Sequence, residues 1–491
     1  MQTYRNFING EWAGSAARAS VENRNPANFD EVLGLAPDST AAEARAAVAA
    51  AARALPAWRR TPAPVRGQVV AKAAAVMQER REELARAMTM EEGKTIREAR
   101  GEIQKSVNIM EFMAGEARRF GGETLYSELP NNLAYTLKQP LGVVAVITPW
   151  NFPVCIPCWK IAPALVTGNA VVFKPSPLTP WTAQLVCEVF QAAGLPPGVL
   201  NMVIGGAAVG EEFINNPAVA AVSFTGSNTV GSQIYNQGAK RMIRVQCEMG
   251  GKNPVVVMAD ADLELAAAGT VAGAFGSTGQ RCTATSRVIV ENSVADRFVG
   301  MLVERAQKLR VGNGLEEAAD MGPAVDENQL NKDLRAIEEG KRTGARVLCG
   351  GERLRGPVYD RGYFVAPTLF DRVDPKSPLA QVEIFGPVLS VLRVRDFEEA
   401  LAVANDVPYG LTSSIYARDA NLIFRFTEEI ETGITHVNSP TVGGEAHLPF
   451  GGVKGTSMGW REQGRTAVDF YTEIKTVYVD YTGQRRESNL Y

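Results

Sequence analysis

Histidine occurs only twice in the 491 residues, at His436 and His447, so imidazole chemistry has only those two side chains available. Cysteine is also scarce. The six, Cys155, Cys158, Cys187, Cys247, Cys282 and Cys349, are too scattered for a disulfide framework in so long a chain, which leaves free thiols and room for one reactive one. Cys155-Ile156-Pro157-Cys158 has no second ligand pair in view, so no metal is expected and both cysteines read as packing or pocket-lining residues. Neither sign of charge dominates: Lys plus Arg is 51 and Asp plus Glu 54, a net of -3, and nucleic acid is not an expected partner. No apolar run reaches the roughly 18 residues that span a bilayer. The opening Met1-Gln2-Thr3-Tyr4-Arg5-Asn6 lacks the apolar core of a secretion signal, so a cytoplasmic protein without a membrane partner is expected.

What is present is the composition of a folded protein, 45% hydrophobic and 21% charged, in a chain long enough for two or three packed units. Two extended pieces, Asn6 to Trp12 and Val21 to Asn25, precede an Ala-, Glu- and Arg-rich region from about Thr40 to Gly121 that reads as helices broken at Pro56 and at Pro62 to Pro64. From Leu141 short apolar runs alternate with helical segments. The runs Val143 to Ile147, Ala170 to Phe173, Leu200 to Val203, Ala220 to Phe224 and Arg244 to Gln246 predict a parallel sheet buried on both faces. A second alternating stretch has strands at Arg287 to Glu291, Gly362 to Leu369, Pro387 to Arg393, Ser413 to Tyr416 and Ile434 to Asn438, with a border between the two α/β units near Gly250 to Asp262. A late strand, Ile474 to Asp480, has no local partner and is expected to pair elsewhere, across a subunit interface being one choice.

In parallel sheets ligands gather at the carboxyl ends of the strands, where loops converge and helix N-termini present N–H groups. Five such loops are rich in Gly or polar residues: Thr148-Pro149-Trp150-Asn151-Phe152-Pro153, Lys174-Pro175-Ser176-Pro177, Gly205-Gly206, Thr225-Gly226-Ser227 and Glu248-Met249-Gly250-Gly251. Gly226-Ser227-Asn228-Thr229-Val230-Gly231 is the best dinucleotide loop, although it is neither G-x-G-x-x-G nor a P-loop. Lys174, at a neighbouring strand end, suits a ribose or phosphate.

Cys282 lies in a small polar segment, Gly279-Gln280-Arg281-Cys282-Thr283, and is the best nucleophile candidate. An ordinary thiol, with a pKa of about 8.5, needs a base, a cation or a helix N-terminus to ionise at neutral pH. The base is either His436 or His447, or Glu248, which follows an apolar strand where desolvation would raise its pKa.

Seven ordered motifs, namely Thr148 to Pro153, Lys174-Pro175-Ser176, Phe224-Thr225-Gly226-Ser227, Glu248-Met249-Gly250-Gly251-Lys252, Gly279-Gln280-Arg281-Cys282, Glu383-Ile384-Phe385-Gly386-Pro387 and Pro449-Phe450-Gly451-Gly452, resemble those of the aldehyde dehydrogenase superfamily over nearly the whole chain. The resemblance implies an α/β fold of two doubly wound-type domains plus a small β oligomerisation element. The dinucleotide-binding domain would span 1–121 and 141–250, the catalytic domain 251–465, and the oligomerisation element 122–140 and 466–491 of a homodimer or homotetramer. By the same resemblance Cys282 is the nucleophile, Glu248 the general base and Asn151 the oxyanion donor, with Lys160 and Glu462 at proton-relay positions. The cofactor, NAD or NADP, would meet Ile147, Thr148, Pro149, Trp150, Lys174, Ser176, Pro177, Gly210, Phe224, Gly226, Ser227, Val230, Met249, Gly250, Glu383 and Phe385.

One departure bears on the cofactor. Many NAD-preferring relatives carry an acid where this chain has Pro177, so nothing there repels a 2′-phosphate and NADP is expected to be accepted and even preferred. Around Cys282, His447 to Gly452 and Arg461 to Gly464, the chain looks like 2-oxoglutarate semialdehyde dehydrogenases. Such a small-molecule aldehyde is anionic, and Arg281 is a candidate cation for it, unless a structural ion pair holds that side chain. Phe152, Trp159, Thr283 and Phe450 would complete the substrate site. Aromatic, aliphatic and succinate semialdehydes are the alternative substrates. A cysteine hydrolase and an inactive binding protein of the same fold are the remote alternatives.

Overall fold

The computed structural model describes residues 2–16 and 20–485; the end of the expected oligomerisation element, 486–491, lies outside them, as do residues 1 and 17–19. The Ala-rich region forms four helices, Ala41–Arg60, Ala63–Glu79, Arg81–Glu92 and Ile96–Glu116. Contrary to expectation Pro56 does not break the run: it lies inside the first helix, and the break falls at Thr61-Pro62. Buried packing on both sides holds the helix together across the lost backbone bond. Ala47, Val48 and Ala51 are buried before the proline, and Trp58 after it is buried with its indole N–H donating to the Leu165 carbonyl at 3.1 Å.

The first sheet orders Ser457–Met458, Arg244–Glu248, Val219–Thr225, Val143–Ile147, Ala170–Lys174, Leu200–Met202, Asn6–Ile8 and Glu11–Ala13. The five inner strands from Arg244–Glu248 to Leu200–Met202 are parallel, and antiparallel pairing closes both sides. All five residues of Val143–Ile147 are buried, as a parallel strand covered by helices on both faces requires. From that strand the chain runs outward to Leu200–Met202, then returns to Val219–Thr225 on the other side. The direction of winding therefore reverses between Val143–Ile147 and Val219–Thr225, and the loops leaving these two strands part to form a crevice.

The second sheet orders Arg346–Cys349, Thr368–Asp371, Val388–Val394, Thr285–Glu291, Asn253–Val257, Thr412–Tyr416 and Ile434–Val437, all parallel except the first. Asn253–Val257 lies in the stretch read as an inter-domain border, yet it is a central, wholly buried strand. Pro254 disguises it; the register shifts between Asn253 and Pro254, so the missing N–H falls where the ladder is already irregular. The strand expected from Gly362 starts only at Thr368, because the preceding residues bond elsewhere: Tyr363 N–H donates to the Pro26 carbonyl and Ala324 N–H to that of Tyr363. A helix not foreseen, Glu327–Arg342, is capped by Asp326.

A third sheet joins Thr124–Tyr126, Asn132–Pro140 and Thr472–Asp480. The late strand finds its partner within the same chain, running antiparallel to Asn132–Pro140 from Thr472 opposite Pro140 to Asp480 opposite Asn132. Leu125, Tyr126, Ile474 and Tyr478 are left exposed on it. Among the described residues no helix is long and apolar enough to cross a membrane.

Candidate active site

Cys282 follows helix Leu263–Phe275 and a turn in which Ser277, Thr278 and Gly279 have φ of +48°, +59° and +68°. Gly279 has no substitute there, since a Cβ would lie 2.3 Å from the Gly386 carbonyl oxygen. The turn leaves the thiol half-buried between two cavities, lining both a space of about 190 Å³ and one of about 320 Å³. Burial, with the charges of Glu383 and Glu248, pushes its pKa up to about 12, so the resting group is a thiol that must lose its proton to react.

The smaller cavity lies at the winding reversal. Pro149, Trp150, Asn151, Gly226, Ser227, Met249, Gly250, Glu383 and Phe385 line it, which brings together four of the motifs. Trp150 and Phe385 meet edge to face, 5.5 Å apart. Glu383 accepts the Gly251 N–H at 2.9 Å, and only a glycine at 250 permits this approach, because a Cβ would lie 2.2 Å from the carboxylate. Ser227 caps helix Asn228–Arg241, whose first N–H groups face the crevice as an anion site, and Val230 lies exposed in its first turn. The buried hydroxyls of Thr148 and Thr225, at the ends of the two diverging strands, have no partner among the described residues, as suits a cleft made for a polar ligand.

Other expected cofactor residues lie off this cavity. Lys174 runs beside Gly210, its ammonium donating to the Pro175 carbonyl at 3.1 Å; burial lowers its pKa to about 8, opposed by Asp38. Ser176 is buried, accepting the Leu178 N–H, and Pro177 is exposed beside it. Ile147 and Phe224 are buried in the core beneath the loops, and Phe224 packs under Gly226 and Gly231, where a Cβ would come within 2.5 Å and 3.2 Å of its ring. The loop glycines thus seat the helix on Phe224 and Met249.

Asn151 is fixed at both ends. Its side-chain amide donates to the Gln280 carbonyl at 3.0 Å, leaving a second N–H, and its own carbonyl accepts from Lys94 at 2.6 Å. Glu102, paired with Lys94 at 2.6 Å, also accepts the N–H groups of Val154 and Cys155, so this buried pair pins the Asn151 loop to helix Cys155–Thr167. Cys155 and Cys158 are buried packing residues of that helix, with burial pushing the Cys155 thiol up to about 12.

Glu248 lines neither cavity. It is buried, accepts from the Ser457 hydroxyl at 2.5 Å through one oxygen, and has no partner for the other, which faces Gly451. Burial first, then the nearby Glu462 carboxylate, raise its pKa well above the usual range. Behind it Glu462 is ion-paired with Lys160, which donates to Ser223 at 2.8 Å; Ser223 in turn donates to Gln246 at 2.9 Å. Neither histidine reaches Cys282: His447 is exposed beside Glu445, and His436 belongs to strand Ile434–Val437. The imidazole alternative therefore has no geometry. No group of three His, Cys, Asp or Glu residues able to hold a metal occurs among the described residues.

The larger cavity is walled by Phe152, Trp159 and Phe450, with Thr283 beside the thiol; Trp159 and Phe450 pack at 5.3 Å. Arg281 lines it, but its guanidinium is held by Glu98 at 2.8 Å and by the Ser277 hydroxyl at 3.0 Å. Lys94, Glu98, Glu102 and Lys105 also line this cavity, and Gln329 and Lys332 line the smaller one; none was expected. Asp326, an N-cap three residues before Gln329, was the signal available for the last two. For the others the sequence shows only an amphipathic helix.

With this geometry in hand, comparison with known proteins is direct. Residues 12–477 match the model of the aldehyde dehydrogenase family. The chain is 46% identical over 478 residues to an alpha-ketoglutaric semialdehyde dehydrogenase of Bacillus subtilis (strain 168), covering 97% of this chain and 98% of that protein. An alpha-ketoglutarate semialdehyde dehydrogenase of Haloferax volcanii is 46% identical over 479 residues, covering 97% and 99%. The crystal structure of betaine aldehyde dehydrogenase from Staphylococcus aureus in complex with NAD+ superposes with a TM-score of 0.96 at 34% identity, covering 99% of this chain and 96% of that one. A match over this length, on a fold that sets a thiol between a cleft at the sheet's winding reversal and an apolar-walled cavity, places the chain in the aldehyde dehydrogenase family.

Proposed function

We propose that the protein oxidises a semialdehyde bearing a distal carboxylate, 2-oxoglutarate semialdehyde being the leading candidate, to the acid with NAD or NADP. The observation that carries this reading is the position of Cys282, which alone with Ile156 lines both cavities. The names of the relatives supply the aldehyde class.

The half-buried Cys282 thiol gives up its proton to solvent in the cleft, and the sulfur attacks the carbonyl carbon and makes it tetrahedral. The free N–H of Asn151, oriented by the Gln280 carbonyl and by Lys94 beneath the loop, steadies the resulting oxyanion together with the Cys282 N–H. Trp150, Ser227, Glu383 and Phe385 would hold NAD or NADP, which would supply the hydride acceptor. The thioester left on Cys282 is hydrolysed by water that Glu248 deprotonates through its unpartnered oxygen. Glu248 must swing from Ser457 towards the thiol to do so, and the Lys160–Glu462 pair behind it provides the path by which its proton leaves.

Lys174 and Ser176, with Pro177 in place of an acid, favour acceptance of NADP. The division into a dinucleotide domain at 1–121 and 141–250, a catalytic domain at 251–465 and an oligomerisation element at 122–140 and 466–491 fits the grouping of strands into sheets, apart from Ser457–Met458, which edges the first. The exposed apolar residues of the third sheet support a homodimer or homotetramer. Six unpaired thiols suit the reducing cytoplasm.

The test is reduced-nicotinamide absorbance with both cofactors and a panel of aldehydes with and without a terminal carboxylate. Turnover of carboxylated semialdehydes above neutral ones is the expected result; no cofactor reduction with any aldehyde would refute the reading.

A further inference from the structure

Glu98, Gly101, Glu102 and Lys105 stand at successive steps of three, one and three along helix Ile96–Glu116, presenting one face to the larger cavity. With Lys94 and Arg281 they set five charged side chains around a space otherwise walled by Phe152, Trp159 and Phe450. Four of the five are matched: Lys94 with Glu102 at 2.6 Å and Arg281 with Glu98 at 2.8 Å. Lys105 has neither ion pair nor hydrogen bond among the described residues; its ammonium stands 5.5 Å from the Trp159 ring centroid. The cavity therefore carries one uncompensated positive charge.

We propose that Lys105 receives the distal carboxylate of the substrate and sets the preference for carboxylated over neutral aldehydes. This rests on the reading that Cys282 oxidises semialdehydes. Arg281 is the cation nearest the nucleophile in sequence, but it is engaged in scaffolding. Its partner Glu98 also accepts the Ser277 N–H at 2.6 Å and closes the capping box of helix Ile96–Glu116 with Thr95, so drawing Arg281 to a substrate would undo the turn that presents the thiol. Lys94 is buried between two glutamates and bonded to the Asn151 carbonyl. Lys105 alone can gain a partner without breaking one. It is half-buried against an indole face, where a charge-assisted bond is screened less than at the surface. Gly443 and Gly444 line the cavity beside the ammonium and put no side chain of their own there. Lys105 and Cys282 line the same cavity, which puts the anchor and the reacting carbon in one chamber.

The experiment compares kcat/KM for 5-oxopentanoate and for pentanal, an uncharged aldehyde of equal length, in the wild type, Lys105→Met and Lys105→Arg. The wild type should prefer 5-oxopentanoate. Lys105→Met should lower kcat/KM for that substrate by roughly 10- to 100-fold, mainly through KM, and leave pentanal within about threefold. Lys105→Arg should keep most of the preference. As a readout free of turnover, glutarate should slow alkylation of Cys282 by iodoacetamide in the wild type and lose that effect in Lys105→Met. Equal losses on both aldehydes, or a preference and a glutarate effect that survive Lys105→Met, would overturn the assignment while leaving the semialdehyde reading intact. A wild type with no preference for 5-oxopentanoate would overturn both.

Discussion

The two cavities that meet at Cys282 are made of different parts. The smaller is built mainly from loops, several of them at strand ends, fixed by the parallel sheet and by local glycines such as Gly250 and Gly279. The larger is built from helix faces, Ile96–Glu116 and Cys155–Thr167, and from the segment around Gly443. Loops at strand ends hold a ligand common to many enzymes of one fold, whereas side chains on a helix face can change without disturbing the sheet. Cofactor chemistry should therefore tolerate changes in the larger cavity, and substrate choice should tolerate changes in the smaller.

The sharpest way to break that separation is at the shared sulfur. Cys282→Ala should cut aldehyde oxidation by on the order of 10⁴-fold or more, with nucleotide affinity by fluorescence titration unchanged. Retained turnover would mean that neither cavity serves this thiol. Glu248→Gln should slow steady-state turnover on the order of 10²- to 10⁴-fold while sparing a first burst of reduced nicotinamide. Because burial and Glu462 hold the proton on Glu248, wild-type hydrolysis should rise with pH through a limb above the ordinary carboxylate range, and Glu248→Gln should abolish that limb. A kcat profile with no rising limb above the ordinary carboxylate range would argue against this base.

Asn151→Ala should cost on the order of 10²- to 10³-fold in kcat for carboxylated and neutral aldehydes alike, since the oxyanion is common to both. A loss confined to one class would blur the division between the cavities. Lys160→Met leaves Glu462 buried without its cation and should lower unfolding stability by about 3–5 kcal/mol, measured by urea denaturation. The smallest expected effect is Pro177→Glu, which should lower kcat/KM with NADP relative to NAD by about tenfold and leave the aldehyde preference unmoved.

The same contrast explains what the sequence disclosed. The first sheet and its loops were legible because each strand, its terminal loop and the next helix are contiguous, so Thr148 to Pro153 and Gly226-Ser227 announce their places. Strand Asn253–Val257 was not, because Pro254 and the Gly250-Gly251 pair look like a boundary, and only the bulge at Asn253 shows how the proline is accommodated. Phe224 begins a motif, and the sequence does not show that its ring packs beneath Gly226 and Gly231. Gln329 and Lys332 reach the crevice from a helix about 50 residues before Glu383 in the chain, and no local pattern links the two. Lys105 was invisible for a subtler reason. Its role depends on what the other lysine and the arginine are paired with, and pairing of Arg281 with Glu98 joins residues 183 positions apart.

The covalent step offers the most direct measurement. Glu248→Gln enzyme mixed with cofactor and 5-oxopentanoate, quenched within milliseconds, digested and weighed by mass spectrometry, should carry the acyl group on the peptide containing Cys282, in amount equal to the burst of reduced nicotinamide. A burst with no adduct on that peptide, or an adduct on a different residue, would contradict a thioester held by Cys282 and hydrolysed through Glu248.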